Sequence, residues 1–465
     1  MITQSVHYFF PDLKKEEVRK FGLLAITGFF VIGTYWLLRL LKQTIFLKIA
    51  FPMELGWPAH QGVLFQPLAK FWSPLVILVT VLVYSKLIDL FKKHQLFYII
   101  CSFYGILFTT IACLIFAKEA YGAHVVGKQL LAVVGWTNYF AVESFGSLVV
   151  ALFWSFTNSI TTTDAAKRGF PFIVSCMQVG AIGGSGLLLF TEHVGVMWPF
   201  IFLAAMFMFA IVGMIWYFIR TTPKEEMVSN HAAAVNEKKK DGFWQGFTSG
   251  LVLLASRPYL MGILIISTFY EICSQIIDYQ MHSQASRLPA YASDIAFNRF
   301  EGIFGVSANG LSLLIALLGT SYIIKRFGTR ISLAIYPVIF ALTVSGLLLF
   351  FYTGPSNAHL LWATFAAFMI VKSLGYALNN PLKEMMYIPT SKDAKFKSKG
   401  WIDMFGGRFS KAGGASINNF FKHDLSELMV YGTFFSLGII GVWLGAAFYV
   451  GRKNQSLIKS GHIIE

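Results

Sequence analysis

Apolar runs of about twenty residues recur along nearly the whole chain, and a helix of that length is what crosses the hydrocarbon core of a bilayer. Twelve can be read, at roughly 22–48, 71–91, 96–117, 134–159, 171–192, 197–219, 256–283, 300–324, 329–352, 358–380, 401–421 and 427–450. With 56% of residues hydrophobic and 13% charged, the chain has too little polar surface to cover such helices in water. The expected class is an all-α integral membrane protein of twelve transmembrane helices. Six runs lie on each side of one long hydrophilic stretch that contains Lys238, Lys239 and Lys240. The chain therefore divides into a six-helix half at 1–219, a cytoplasmic linker at 220–247 and a second six-helix half at 248–465.

The two halves are related. Val142-Glu143-Ser144-x-Gly146 recurs as Val371-Lys372-Ser373-x-Gly375, Asp164-Ala165 as Asp393-Ala394, and Gly183-Gly184 as Gly413-Gly414, all displaced by about 230 residues. One unit built twice is the pseudo-two-fold plan of many carriers. The copies differ in charge, because Glu143 is answered by Lys372 and Ala181 by Lys411.

A net charge of +15 could suggest nucleic acid as a partner, but the basic residues fall in short loops between apolar runs, the pattern that encodes membrane orientation. Nucleic acid is excluded on that ground, and the bilayer is the expected partner. Placing both termini in the cytoplasm puts Lys86, Lys92, Lys93, Lys167, Arg168, the linker, Lys325, Arg326, Arg330 and the run 392–399 inside. The polar N-terminal stretch up to Lys20 lacks the shape of a cleavable signal, so the first run is expected to stay in the mature protein. Cys101, Cys113, Cys176 and Cys273 all lie within apolar runs without metal-ligand spacing and read as small core residues. The loops Tyr84-Ser85-Lys86-x-x-Asp89-x-x-Lys92-Lys93 and Lys325-Arg326-Phe327-Gly328-Thr329-Arg330 resemble degraded forms of the acidic and basic loop of major-facilitator transporters.

Charges inside the runs point to function, since each costs on the order of 2.5–3.5 kcal/mol near the bilayer centre unless it meets a partner or a wet cavity. Arg39 and Lys42 share a face of the first run, within snorkelling reach of the interface. Glu143 sits mid-run with Asn138 and Tyr139 a turn earlier. Glu271 and Asp278, seven apart on the seventh run, take the place of Arg39 and Lys42 at a displacement near 236. Lys372 is deep in the tenth run, and Lys411 lies among glycines in the eleventh. In two-fold-repeated carriers the first, fourth, seventh and tenth spans line a central cavity with site residues near the midplane. Lys42, Lys372, Lys411 and Arg39 would make that cavity cationic and suited to a polyanion, with Glu143 and Asp278 neutralising it when empty. A sugar or peptide carrier has little use for so many lysines. Glu143 and Lys372, equivalent in the repeat, are expected to face each other in one state. Asp278 and Glu271 are the candidate coupling residues, because two carboxylates in one cavity can carry a proton. Tyr139, Tyr270 and Tyr376 are candidates for stacking on a base.

Trp36-Leu37-Leu38-Arg39-x-Leu41-Lys42, Pro381-x-Lys383-Glu384-Met385-x-Tyr387-Ile388-Pro389, the run Asp393 to Lys399 and Lys411-x-Gly413-Gly414 resemble the ATP/ADP translocases, nucleotide transporters of plastids and obligate intracellular bacteria. The resemblance spans essentially the whole chain. It implies a twelve-span, major-facilitator-like monomer exchanging or importing nucleotides across an inner membrane. The family's required charges, a lysine in span one, a glutamate in span four, an acid in span seven and a lysine in span eleven, fall by motif on Lys42, Glu143, Asp278 and Lys411. The seventh span departs from the exchanger pattern of Asn-Leu-x-Glu with a following Trp-Lys pair. It reads Gln275-Ile276-Ile277-Asp278-Tyr279-Gln280-Met281-His282, with Glu271 in addition. Some relatives import other nucleotides, such as UTP or GTP, with protons, so proton-coupled import is the alternative to ATP/ADP exchange.

No cofactor, metal site or catalytic function is expected. The glycines around Lys411 and the run Gly183-Gly184-Ser185-Gly186 do not follow the phosphate-loop pattern, and no His-x-x-x-His pair has a companion glutamate. A membrane enzyme acting on a phosphorylated lipid would also use a cationic pocket, but the internal repeat argues for a carrier.

Overall fold

The computed structural model describes residues 13–14, 17–223, 243–460 and 463–464; Lys238 to Lys240 of the linker lie outside the described residues. The long helices are α1 (Glu17–Thr44), α2 (Gln61–Leu90), α3 (Lys93–Tyr121), α4 (Lys128–Ser159), α5 (Thr163–Gly186) and α6 (Trp198–Thr221). They continue with α7 (Pro258–Arg287), α8 (Asp294–Ile315), α9 (Ser321–Tyr352), α10 (Asn357–Leu374), α11 (Gly407–Phe421) and α12 (Leu425–Ser460).

Among the described residues eleven helices are long and apolar enough to cross a membrane, one fewer than the twelve expected. The run expected at 401–421 is helical through a π stretch, Ile402–Gly406, into α11. Asp403, Arg408 and Lys411 keep it from being apolar enough. A second difference is at α2, which begins at Gln61 and not near 71. Reading a span as starting after the last charge cuts the helix at Lys70, and the structure puts Lys70 inside it.

The chain forms two compact units, the first from Met1–Gly62, Leu75–Lys239 and Ala290–Val306, the second from Val63–Pro74, Lys240–Pro289 and Ser307–Glu465. In the first, α1 packs on α4, α5 and α6, and α3 packs on α4 and α6. In the second, α7 packs on α10, α11 and α12, and α9 packs on α10 and α12. Every pairing of the first unit thus recurs six helices later. The unit boundaries differ from a division at the linker, because the start of α2 is counted with the second unit and the start of α8 with the first. Polar side chains account for both exchanges. Lys70 bonds to α7, while Asn298 accepts from Thr44 and donates to Thr191, each at 2.9 Å. The exchanged segments are themselves equivalent in the repeat, since a displacement of 229 carries Lys70 to Arg299.

Small residues let the repeat-equivalent helix pairs α1–α5 and α7–α11 approach closely. A Cβ on Gly184 would lie 2.1 Å from the Gly33 carbonyl oxygen, and one on Gly414 would lie 2.6 Å from the Ile272 carbonyl oxygen. In lipid, where apolar burial drives helix association weakly, such contact is a main source of packing energy. Gly184→Ala is expected to lower the unfolding midpoint in detergent, with a destabilisation on the order of 1–3 kcal/mol, because the obstructing atom is backbone. Gly213→Ala on α6, with nothing within 4 Å of the added methyl, is expected to leave the midpoint unchanged. Equal midpoints for the two variants would show that α1 and α5 separate at no cost.

Candidate functional site

In the first unit Lys42 ends α1, and its Nζ lies 2.5 Å from Glu143 Oε1 on α4. The lysine is 4% and the glutamate 17% exposed, so two charges that would each be costly alone satisfy one another away from water. The ammonium also sits over the Tyr139 ring, 4.5 Å from its centroid. Arg39, one turn before Lys42, stacks on Trp36 at 4.7 Å. Asn138 is buried on α4, and its Nδ2 has no hydrogen-bond partner among the described residues.

In the second unit Glu271 Oε2 on α7 lies 3.7 Å from Lys372 Nζ on α10 and 3.8 Å from Lys411 Nζ on α11. The displacement of 229 that carries Glu143 to Lys372 also carries Lys42 to Glu271. The ion pair between the first and fourth helices of one unit is therefore rebuilt in the other with its polarity reversed. A displacement of 236, which carries Lys42 to Asp278, does not give this pairing. Each of Glu143 and Lys372 finds a counter-ion within its own unit. Lys411 replaces Ala181 and has no counterpart in the first unit, so two lysines share one carboxylate and the cluster carries one net positive charge. Lys411 is also the more accessible, 35% exposed against 11% for Lys372.

Asp278 belongs to neither pair. It lies seven residues beyond Glu271, about 10 Å along the helix, and its Oδ2 accepts from Lys70 Nζ at 2.6 Å. Lys70 also donates to Gln275 Oε1 at 2.8 Å, and Gln275 Nε2 donates to Asp278 Oδ2 at 3.1 Å. His282 Nδ1 is 2.6 Å from the Asp278 carbonyl oxygen and 3.6 Å from Oδ1. Asn418 on α11 donates to the Gln275 carbonyl at 3.0 Å, tying this network to the helix that carries Lys411. The expectation that Asp278 neutralises the site lysines therefore gives way to a pairing with Lys70. Lys70 falls one residue before the run expected at 71–91, so the apolar pattern alone does not draw it into the site.

π-helical stretches adjoin the lysines. Ile45–Ile49 starts three residues after Lys42, Gly375–Asn379 starts three after Lys372, and Ile402–Gly406 ends five before Lys411. Such widened turns recur at functional positions. Two of the candidate stacking rings are used in packing. Tyr139 is fully buried against Phe46, and Tyr270 packs on Tyr336 and Trp443 with centroids 5.9 and 6.3 Å away. Tyr376 lies in the π stretch after Lys372.

Solved structures share this architecture at low identity. A peptide transporter of the POT type matches with a TM-score of 0.60 at 12% identity, covering 92% of this chain and 95% of that one. A bacterial homologue of the iron transporter ferroportin gives 0.59 at 11%, covering 92% and 99%. The nucleoside transporter NupG gives 0.56 at 13%, covering 92% and 98%. These likenesses establish a major-facilitator-like fold. Among sequence relatives, ADP,ATP carrier protein 1 of Chlamydia pneumoniae is 25% identical over 98% of this chain and 96% of its own length. ADP,ATP carrier protein 2, chloroplastic, of Arabidopsis thaliana is 27% identical over 82% of this chain and 67% of its own length. ADP,ATP carrier protein 4 of Rickettsia bellii is 24% identical over 90% and 86%. The model of the TLC ATP/ADP transporter family matches residues 2–453, and with nearly its whole length so matched the chain belongs to that family of multi-pass membrane transporters.

Proposed function

We propose that this chain exchanges ATP for ADP across an inner membrane by alternating access. It acts as a monomer with both termini cytoplasmic, and its host is a bacterium of the intracellular kind its Chlamydia and Rickettsia relatives come from. The observation that carries the reading is the convergence of Lys372 and Lys411 on the single carboxylate of Glu271, which leaves a positive charge for an anion to complete. A nucleotide's phosphate chain supplies several anionic oxygens at once, and lysine ammonium groups serve such oxygens as point charges.

Glu143 pairs with Lys42, and Glu271 lies 3.7 Å from Lys372 and 3.8 Å from Lys411. Bound phosphate oxygens take the place of those carboxylates. A conformational change is favoured only by a ligand that interacts differently with the two states, and exchange follows when the empty protein switches too rarely to return alone. No bond of the nucleotide is broken in this cycle.

In proteoliposomes, uptake of labelled ATP is expected to depend on ADP inside, with vesicles lacking internal nucleotide at background. A panel of unlabelled nucleotides competing with ATP reads the base preference. Uptake into nucleotide-free vesicles driven by an inward proton gradient would replace exchange with proton-coupled import. Absence of nucleotide uptake under either condition would overturn the reading altogether.

A further inference from the structure

Lys70 has no place in the charges by which the chain was matched to its relatives, yet it makes two short contacts in the second unit's polar network. Its side chain is 13% exposed, and its ammonium lies 2.6 Å from Asp278 Oδ2 and 2.8 Å from Gln275 Oε1. The repeat supplies a built-in comparison. Arg299, equivalent to Lys70 at a displacement of 229, also reaches a carboxylate, that of Glu192, but both partners are close to half exposed. A half-exposed bridge contributes little beyond holding two helix ends together. The Lys70–Asp278 pair is enclosed, and there one question dominates, which is what neutralises the carboxylate.

An enclosed carboxylate is stable only if it is paired with a cation or carries a proton. The groups that bear on Asp278 are Lys70 from α2, Gln275 and His282 from α7 itself, and Lys372 from α10, which acts on it electrostatically. Glu271 lies two turns away with Lys372 and Lys411 as its own partners. Lys70 alone among these places an ammonium in direct contact with Asp278. While Lys70 is there, the carboxylate needs no proton; without it, a proton taken from the aqueous side is the remaining neutraliser of comparable strength.

We propose that Lys70 fixes the coupling mode of this transporter: as the permanent counter-ion of Asp278 it withholds from the protein a proton-carrying carboxylate, and so confines it to exchange. This deepens the exchange reading and rests on it. Lys70 acts through Asp278 and is a positioning and coupling residue, with no contact to substrate required.

The test compares wild type, Lys70→Gln, Lys70→Arg and Lys70→Gln/Asp278→Asn in proteoliposomes, each first shown monodisperse in detergent. ATP uptake is measured with ADP inside across external pH 5.5 to 8, and separately into nucleotide-free vesicles under an imposed proton gradient. Wild type and Lys70→Arg are expected to be flat with pH and at background in nucleotide-free vesicles. Lys70→Gln is expected to rise several-fold toward acid pH and to acquire gradient-driven uptake that a protonophore abolishes. Lys70→Gln/Asp278→Asn is expected to be flat again. A flat profile in Lys70→Gln with exchange retained would overturn the proposal. So would loss of exchange in Lys70→Gln that Lys70→Gln/Asp278→Asn restores without any pH dependence at any stage, which would mark the pair as structural. Wild type that is itself gradient-driven would instead refute the exchange reading, and that result is distinct from both. Should Lys70→Gln not be recovered folded, Lys70→Met serves with the same readouts: uptake that rises toward acid pH and is gradient-driven is expected, and a flat profile with exchange retained would overturn the proposal.

Discussion

Lys42→Gln is expected to cut ATP uptake by at least about a hundredfold, the largest loss from any single change in the first unit. Its side chain is 4% exposed and its ammonium lies 2.5 Å from Glu143, so removing it takes a close cation from a carboxylate held away from water. Breaking a buried pair from one side costs about 3–5 kcal/mol, and about 1.4 kcal/mol corresponds to a factor of ten. Part of that loss is stability and part is function, and a mutant cycle separates them. Glu143→Gln takes the close anion from Lys42 in turn, whereas Lys42→Gln/Glu143→Gln removes both charges together and is expected to recover the unfolding midpoint. Uptake is expected to stay low in the doubly neutral protein, because no cation is then left at this position to meet phosphate. Recovery of uptake along with stability would reduce the pair to a structural bridge. Uptake near the wild-type rate in Lys42→Gln would remove Lys42 from the site.

The sequence exposes most of the architecture because lipid leaves helices little choice. Runs of about twenty apolar residues had to be spans, and a displacement near 230 had to mean two related units. Where a helix carries its own charges the signal fails, for a physical reason. Lys411 beside Glu271 and Lys70 beside Asp278 place charges against protein, and hydropathy cannot tell a charge facing protein from one facing water. The residue types of both charge clusters were legible as well, since Lys42 and Glu143 in one unit and Glu271, Lys372 and Lys411 in the other are charges in apolar runs. Their partners were not. Which carboxylate meets which lysine depends on helix rotation and on the start of α2, and neither is encoded as a spacing along the chain. The displacement of 229 would have paired Glu271 with Lys372 in advance, by analogy with Lys42 and Glu143. The nearby displacement of 236, which also lands on an acid, concealed it.

Lys411→Gln is expected to abolish ATP uptake while leaving the fold intact, and the combination distinguishes it from Lys42→Gln. Lys411 is 35% exposed, and Glu271 keeps Lys372 3.7 Å away when Lys411 is lost. The remaining pair is neutral, as is the equivalent pair of the first unit, where the position of Lys411 is held by Ala181. The unfolding midpoint in detergent is therefore expected to stay within about a degree of wild type, since surface charge changes shift stability by roughly 0.5 kcal/mol or less. On the proposed reading the cluster binds through its single surplus charge, and the substitution removes that charge alone. Stabilisation of the purified protein by added ATP, seen as a rise in midpoint, is expected to disappear together with uptake. Glu271→Gln makes the opposite change, because two lysines are left to repel one another until an anion arrives. That variant is expected to be less stable when empty and to gain more from ATP than wild type does. If Lys411→Gln retained uptake, or if ATP stabilised it as strongly as wild type, the surplus charge would not be what holds the phosphates.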